Sequence, residues 1–221
     1  MSDNLELWNK VKKTDPENTK HVNQRGGYTS IKPQSQIREA TEQFGMYGDG
    51  WGFESIELDM SQAESLEVVL VKAVFFYKIN GEKHTFPINN SWPIKSGSRV
   101  DQDFAKKAET NTMGKALSKL GFNADIFMGE FDDPDYVQAV GDEYALEKAE
   151  NKIEEKAKQD AEYAKWVEGV SNIMAGCVTL NELQQVYKGA VRKANLYKDT
   201  ASARSFEEIK DKRKAELEEK Q

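Results

Sequence analysis

The sequence is poor in the residues that build covalent or metal-held frameworks. Cys177 is its only cysteine, and His21 and His84 are its only histidines. That excludes a disulfide scaffold, a multi-cysteine zinc site and a histidine-rich metal centre. No apolar run approaches the ~20 residues that a membrane-crossing helix needs. Residues Met1 to Lys13 lack a basic start followed by an apolar stretch, so they do not read as a secretory leader. Positive charge is scarce in the average, with a net charge of -7 and a pI near 5.1. The expectation is a soluble intracellular protein that holds no metal and no cofactor.

What is present divides the chain. The 221 residues give room for one ordinary domain and a smaller appendage. A hydrophobic fraction of 38% and a charged fraction of 31% fit part core and part solvated helix. The 22 aromatic residues are too many for a disordered chain. Charge is unevenly spread: residues 1–120 sum to zero, 121–170 to -9 and 171–221 to +2. Within the neutral part, 21–40 carries Arg25, Lys32 and Arg38 against Glu39, and 104–121 carries Lys106, Lys107, Lys115 and Lys119 against Glu109. Charges in water act over only ~8 Å at physiological salt, so a local basic face is compatible with an acidic whole.

Local patterns predict an α+β body with a helical tail. A short helix fits 3–13, and the rest of 1–24 gives no clear element beyond the Asp15-Pro16 break. Pro33 suits a first helical turn, and Ile37, Ala40 and Phe44 recur at helical spacing. Glycines at 45, 48, 50 and 52 then lead into a strand through Trp51, Phe53 and Leu58. A Val- and aromatic-rich strand over Leu66 to Ile79 meets Asn80-Gly81, the strongest short hairpin signal, and a returning strand ends near Trp92-Pro93. The result is a three-stranded antiparallel meander followed by a long helix, Asp101 to Leu120. Its expected apolar stripe is Phe104, Ala108, Met113, Leu117 and Leu120, with Gly121 as terminator. Residues 141–160 read as a charged helical connector after a core over 1–140. Residues 161–221 read as a small bundle of two or three helices, with capping boxes at Thr179–Glu182 and Ser205–Glu208.

Enzyme constellations fail for specific reasons. Gly114-Lys115 lacks the earlier glycine of a phosphate-binding loop, because position 109 is Glu, and it lies inside a helix. Glu154-Glu155-Lys156 has the spacing of a nuclease fragment but no adjoining strand. The acids Asp132, Asp133 and Asp135 lack calcium-loop spacing and read as a solvated turn. Cys177 on an apolar helix face reads as a small core residue. What remains is a cationic surface interleaved with aromatic character: Arg25, Tyr28, Lys32 and Arg38 before the sheet, and Lys106, Lys107, Lys115 and Lys119 after it. Those residue types suit a groove for a single nucleic-acid strand. They equally suit a merely solvated face.

A family resemblance separates the two readings. Arg25-Gly26-Gly27-Tyr28 leads into Ile31-Lys32-Pro33 and a helix ending Ala40-Thr41-Glu42-Gln43-Phe44-Gly45. Gly50-Trp51-Gly52 opens the meander, and the long helix carries Lys107-Ala108-Glu109-Thr110-Asn111-Thr112-Met113-Gly114-Lys115-Ala116-Leu117-Ser118-Lys119-Leu120-Gly121. Over residues 20–136 this order resembles the bacteriophage single-strand annealing proteins (Sak, Erf and Red-beta types), grouped with the recombination mediator Rad fifty-two. The resemblance implies a β-β-β-α core whose protomers assemble into rings or helical filaments. It implies a basic groove for single-stranded DNA and annealing of complementary strands without ATP or covalent chemistry, in recombination and repair in a bacterial cytoplasm. Lys115 matches a groove arginine or lysine of the family, and Arg25 falls near a second basic contact. Where the family helix often carries two adjacent basic residues, this chain has Gly114 and Ser118, with Lys119 beside the second. The tail is not covered; in comparable phage proteins such tails engage an exonuclease or a single-stranded-DNA-binding protein. Two alternatives from other classes are a metal-dependent nuclease using some of Asp125, Glu130, Asp132 and Asp133, and a non-annealing adaptor that binds another protein through the tail bundle.

Overall fold

The computed structural model describes residues 5–23 and 27–219. Arg25 and the first residues of the expected 3–13 helix lie outside the described residues. In chain order the elements are α1 (Glu6–Val11), β1 (Thr19–Val22), β2 (Tyr28–Ile31), α2 (Pro33–Phe44), β3 (Trp51–Asp59), α3 (Ala63–Leu66), β4 (Val68–Ile79), β5 (Glu82–Pro93), β6 (Lys95–Ser96), β7 (Arg99–Val100), α4 (Phe104–Ser118) and α5 (Ala124–Phe127). They are followed by α6 (Pro134–Lys148), α7 (Lys152–Gly176), α8 (Leu180–Leu196) and α9 (Thr200–Glu218). The class is α+β. The chain divides into two compact units, one running to Thr14 and over Asn18–Gly129, the other comprising Asp15–Glu17 and the chain from Glu130. Among the described residues no helix is long and apolar enough to cross a membrane.

The first unit is organised by the antiparallel meander β3-β4-β5. Asn80 and Gly81 both take positive φ, 53° and 82°, and set the β4–β5 register at Ile79 opposite Glu82. Alternation then decides which face is covered. Val69, Val71, Ala73 and Phe75 of β4 are buried, as are Ile88 and Asn90 of β5, while Lys83, Thr85, Pro87 and Asn89 between them face out. The buried face meets Ala40 and Phe44 of α2, Ala116 and Leu117 of α4, and Val11 of α1 in one core with Trp51 and Phe122. Full burial of each large apolar side chain contributes roughly 1.5–3 kcal/mol.

Helix α4 packs through the whole expected stripe and adds Thr112 and Ala116 to it. Its buried residues are Ala108, Thr112, Ala116 and Leu117, with Phe104, Met113 and Leu120 only partly covered. Small side chains at i, i+4 and i+8 let the helix lie close on the sheet. Thr112 fits there because its hydroxyl donates to the Ala108 carbonyl at 2.7 Å. Gly114 has a packing reason: a Cβ there would stand 3.1 Å from Gln36 Oε1 of α2. The hairpin β1–β2, with Thr19 opposite Ile31, is an addition to the sequence reading. Its residues are mostly polar and part-exposed, with Val22 and Ile31 only at the strand ends, so no apolar alternation announces it.

The second unit buries Met174, Cys177, Leu183, Ala190, Ala194, Phe206 and Leu217 among α7, α8 and α9. These helices are longer than the sequence suggested. Over 141–160 one helix ends at Lys148 and the next begins at Lys152, capped by Asn151 accepting from the Glu154 amide. Thr179 caps α8 as expected, accepting from the Glu182 amide at 3.1 Å. Ser205 is not a cap; it lies inside α9, whose cap is Asp199, accepting from the Ala201 and Ser202 amides. The acidic turn is not merely solvated. Asp133 caps α6, Arg192 of α8 sits 3.2 Å from both Asp133 and Asp135, and the largely buried Lys193 sits 3.1 Å from Asp135. Cys177 is buried, and burial raises its thiol pKa, as suits a core residue and not a nucleophile.

Two outcomes follow from this packing. A Cβ at Gly50 would fall 1.9 Å from the Phe44 carbonyl oxygen, whereas one at Gly169 on α7 would meet nothing within 4 Å. Gly50→Ala should cost about 3 kcal/mol or more in denaturant unfolding of the first unit. Gly169→Ala should stabilise the second by about 1 kcal/mol. Separately, burial, with the charges of Glu42 and Asp125, raises the Glu39 carboxyl from its ordinary 4.5 to about 8. The unfolded chain ionises this group near 4.5, so folding is increasingly penalised as pH rises from there through about 8. Glu39→Gln should therefore raise the urea midpoint at about pH 9 and leave it unchanged near pH 4.

Candidate nucleic-acid interface

A cleft of about 560 Å³ opens on the first unit, within the roughly 300–1,000 Å³ typical of ligand sites. One wall is Tyr28 to Ile31 of β2, with Pro33 and Gln36 from the start of α2. The other is the face of α4 bearing Lys106, Lys107, Thr110, Asn111, Gly114 and Lys115. Trp92 at the end of β5 and Phe127 at the end of α5 complete it. The lining contains three lysines and no carboxylate.

Each lysine is held differently. Lys115 Nζ donates to Asn90 Oδ1, a neutral acceptor that orients the ammonium without cancelling its charge. Asn90 is buried and donates in turn to Asn111 at 2.9 Å and to Thr112 at 3.1 Å, so a polar network ties β5 to α4 beneath the cleft. Lys107 donates to Asp101 at 2.6 Å, and this bond holds the Asp101 carboxyl below its usual range. Lys106 is exposed, with no carboxylate within ion-pair distance among the described residues.

The sequence-derived candidates divide accordingly. Tyr28, Lys106, Lys107 and Lys115 share the cleft although nearly eighty positions separate Tyr28 from the first of these lysines. Lys32, at the N-terminal cap of α2, is outside the lining beside Pro33. Arg38 is turned to Glu42, 3.7 Å away. Lys119 lies over the Phe86 ring, 5.9 Å from its centroid, and not in the cleft. Arg25 lies outside the described residues.

Sequence reasoning missed Trp92, Phe127, Gln36, Thr110 and Asn111. Helical spacing could have found Asn111, which stands one turn from both Lys107 and Lys115. Phe127 had no such signal, because its position follows from long-range hydrogen bonds. Phe122, Asn123, Ala124 and Asp125 are buried. Asn123 accepts from Gln36 at 2.9 Å and donates to Thr14 at 3.0 Å, while Asp125 accepts from the Thr14 amide and hydroxyl at 2.7 and 2.6 Å. These two bonds from Thr14 engage one carboxylate of the nuclease alternative, Asp125. Among the described residues no group of three or more His, Cys, Asp and Glu side chains could hold a metal ion.

No protein-family model matches the chain, and no curated protein matches its sequence.

Replacing Asn90 by Leu would strand the Asn111 carbonyl and the Lys115 ammonium at a part-buried position. The expected loss is about 1–3 kcal/mol of unfolding free energy, read by denaturant titration.

Proposed function

We propose that the protein binds single-stranded DNA in this cleft and anneals complementary strands without nucleotide hydrolysis. The observation that carries the reading is the meeting of Tyr28 with Lys106, Lys107 and Lys115 in one lining free of carboxylates. Lysines neutralise phosphates and release counterions, which supplies affinity indifferent to base order. An aromatic face adds a contact that every base can make.

The proposed mechanism needs more than one protomer. A cleft of this volume covers only a short piece of strand, so one copy binds weakly. Copies assembled side by side in a ring or filament multiply those sites along one strand and give avidity. The strand is then held extended while a complement samples it, and duplex formation supplies the free energy. The protein acts as a template in recombination, in the cytoplasm of a bacterial host. The helical second unit is the proposed docking element for an exonuclease or a single-stranded-DNA-binding protein.

The test mixes complementary fluorescent oligonucleotides with the protein, with and without magnesium, and follows both pairing and strand integrity. Accelerated pairing of intact strands independent of ATP is the expected result. Magnesium-dependent degradation would identify a nuclease, and indifference to oligonucleotides an adaptor. The triple variant Lys106→Ala, Lys107→Ala, Lys115→Ala should still fold, with a loss of about 1–3 kcal/mol for the stranded Asn90 carbonyl, and lose annealing. Its plot of log affinity against log salt should be shallower by about 2, since each phosphate contact to a single strand contributes a slope of about 0.7.

A further inference from the structure

Phe127 is the least expected residue of the cleft. The four residues Phe122 to Asp125 are buried and anchored, yet the chain then delivers Phe127 to the surface 60% exposed. Its ring belongs to none of the buried clusters, and it lines the cleft together with Tyr28, itself 50% exposed. Three of the cleft's neutral polar side chains are in contrast already engaged. Gln36 donates to Asn123, Asn111 accepts from Asn90, and the Thr110 hydroxyl donates to the Lys106 carbonyl at 2.9 Å. Part of the lining that would read base edges is thus tied into the protein, while the Lys106 ammonium and the two rings are exposed.

We propose that Phe127, together with Tyr28, is a stacking platform for nucleobases, and that the cleft holds an unpaired strand by its phosphates and base faces while leaving the base edges unread. This deepens the single-strand-binding reading and rests on it. A face-on contact leaves the hydrogen-bonding edge of a base available to a complement, which an annealing template requires. It also makes binding depend on the presence of bases and not on their identity. The lysines attract the backbone of any strand, whereas the rings reward only a strand that carries bases.

The experiment measures affinity by fluorescence anisotropy for three labelled probes of equal length: oligo-dT, oligo-dC and an abasic strand. Wild-type protein should bind oligo-dT and oligo-dC within a few-fold of each other, and the abasic strand about 5- to 150-fold more weakly. Phe127→Ala should lower oligo-dT affinity towards the abasic value while leaving abasic binding unchanged, and Phe127→Trp should retain the wild-type preference. Because Phe127 is exposed, both variants should keep the wild-type unfolding midpoint, checked on the same samples. Equal wild-type affinity for oligo-dT and the abasic strand would overturn the platform while leaving the phosphate groove standing. So would unchanged oligo-dT binding by Phe127→Ala. A more than tenfold preference between oligo-dT and oligo-dC would show that edges are read. If wild-type protein binds none of the three, the single-strand-binding reading itself is overturned.

Discussion

The hydrogen bond from the Gln36 amide to the Asn123 carbonyl joins α2 to the turn that follows α4, in a part of the first unit closed to water. It is one link in a chain. Asn123 donates to Thr14, and Thr14 donates to Asp125 through both backbone and hydroxyl, so four buried polar residues satisfy one another. An unmade bond at such a place costs about 1–3 kcal/mol, so the four residues hold together or fail together. This chain fixes the start of α2, the segment before Asp15 and the base of α5. Two parts of the cleft lining, the start of α2 and Phe127, depend on it.

Charge in the two units is used in different ways. In the first unit Lys107 of the cleft is paired with Asp101, whereas Lys115 is held by a neutral amide and Lys106 has no carboxylate in ion-pair distance among the described residues, so two of the three cleft charges are uncompensated. In the second unit Asp133 and Asp135 are consumed by Arg192 and Lys193 in clamping α6 to α8, and Lys148 bridges to Asp15 and Glu17 at 2.6 Å. A net charge of -7 therefore says little about what any one surface attracts.

The parts of the fold legible in the sequence were those carried by short-range rules. Asn80-Gly81 fixed the hairpin, the Val- and aromatic-rich run marked β4, and Pro33 marked the start of α2. The hairpin of β1 and β2 was not legible, because Thr19 to Val22 and Tyr28 to Ile31 lack apolar alternation. The α4 stripe was legible but incomplete, because an apolarity scan passes over Thr112, whose hydroxyl is satisfied within its own helix. Ser205 matched a cap pattern, yet Asp199 starts the helix six residues earlier, just after Lys198 turns to a φ of 57°. Of the candidate site, the lysines of α4 were legible by residue type, but which of them share a surface depends on where β2 and α5 fall. Lys119 lies only one turn beyond Lys115 and still meets Phe86 instead of the cleft. Phe127 was invisible because buried partners more than a hundred positions away anchor its segment.

The lone thiol has a practical consequence. Cys177 sits in the core of the second unit at 1% exposure, while Trp8, Trp51 and Trp92 belong to the first and Trp166 alone to the second. A thiol reagent can react only after the α7–α9 core breathes, and indole emission is weighted towards the meander. The native chain thus carries two spectroscopically separate clocks, one for each half, without any label having to be introduced.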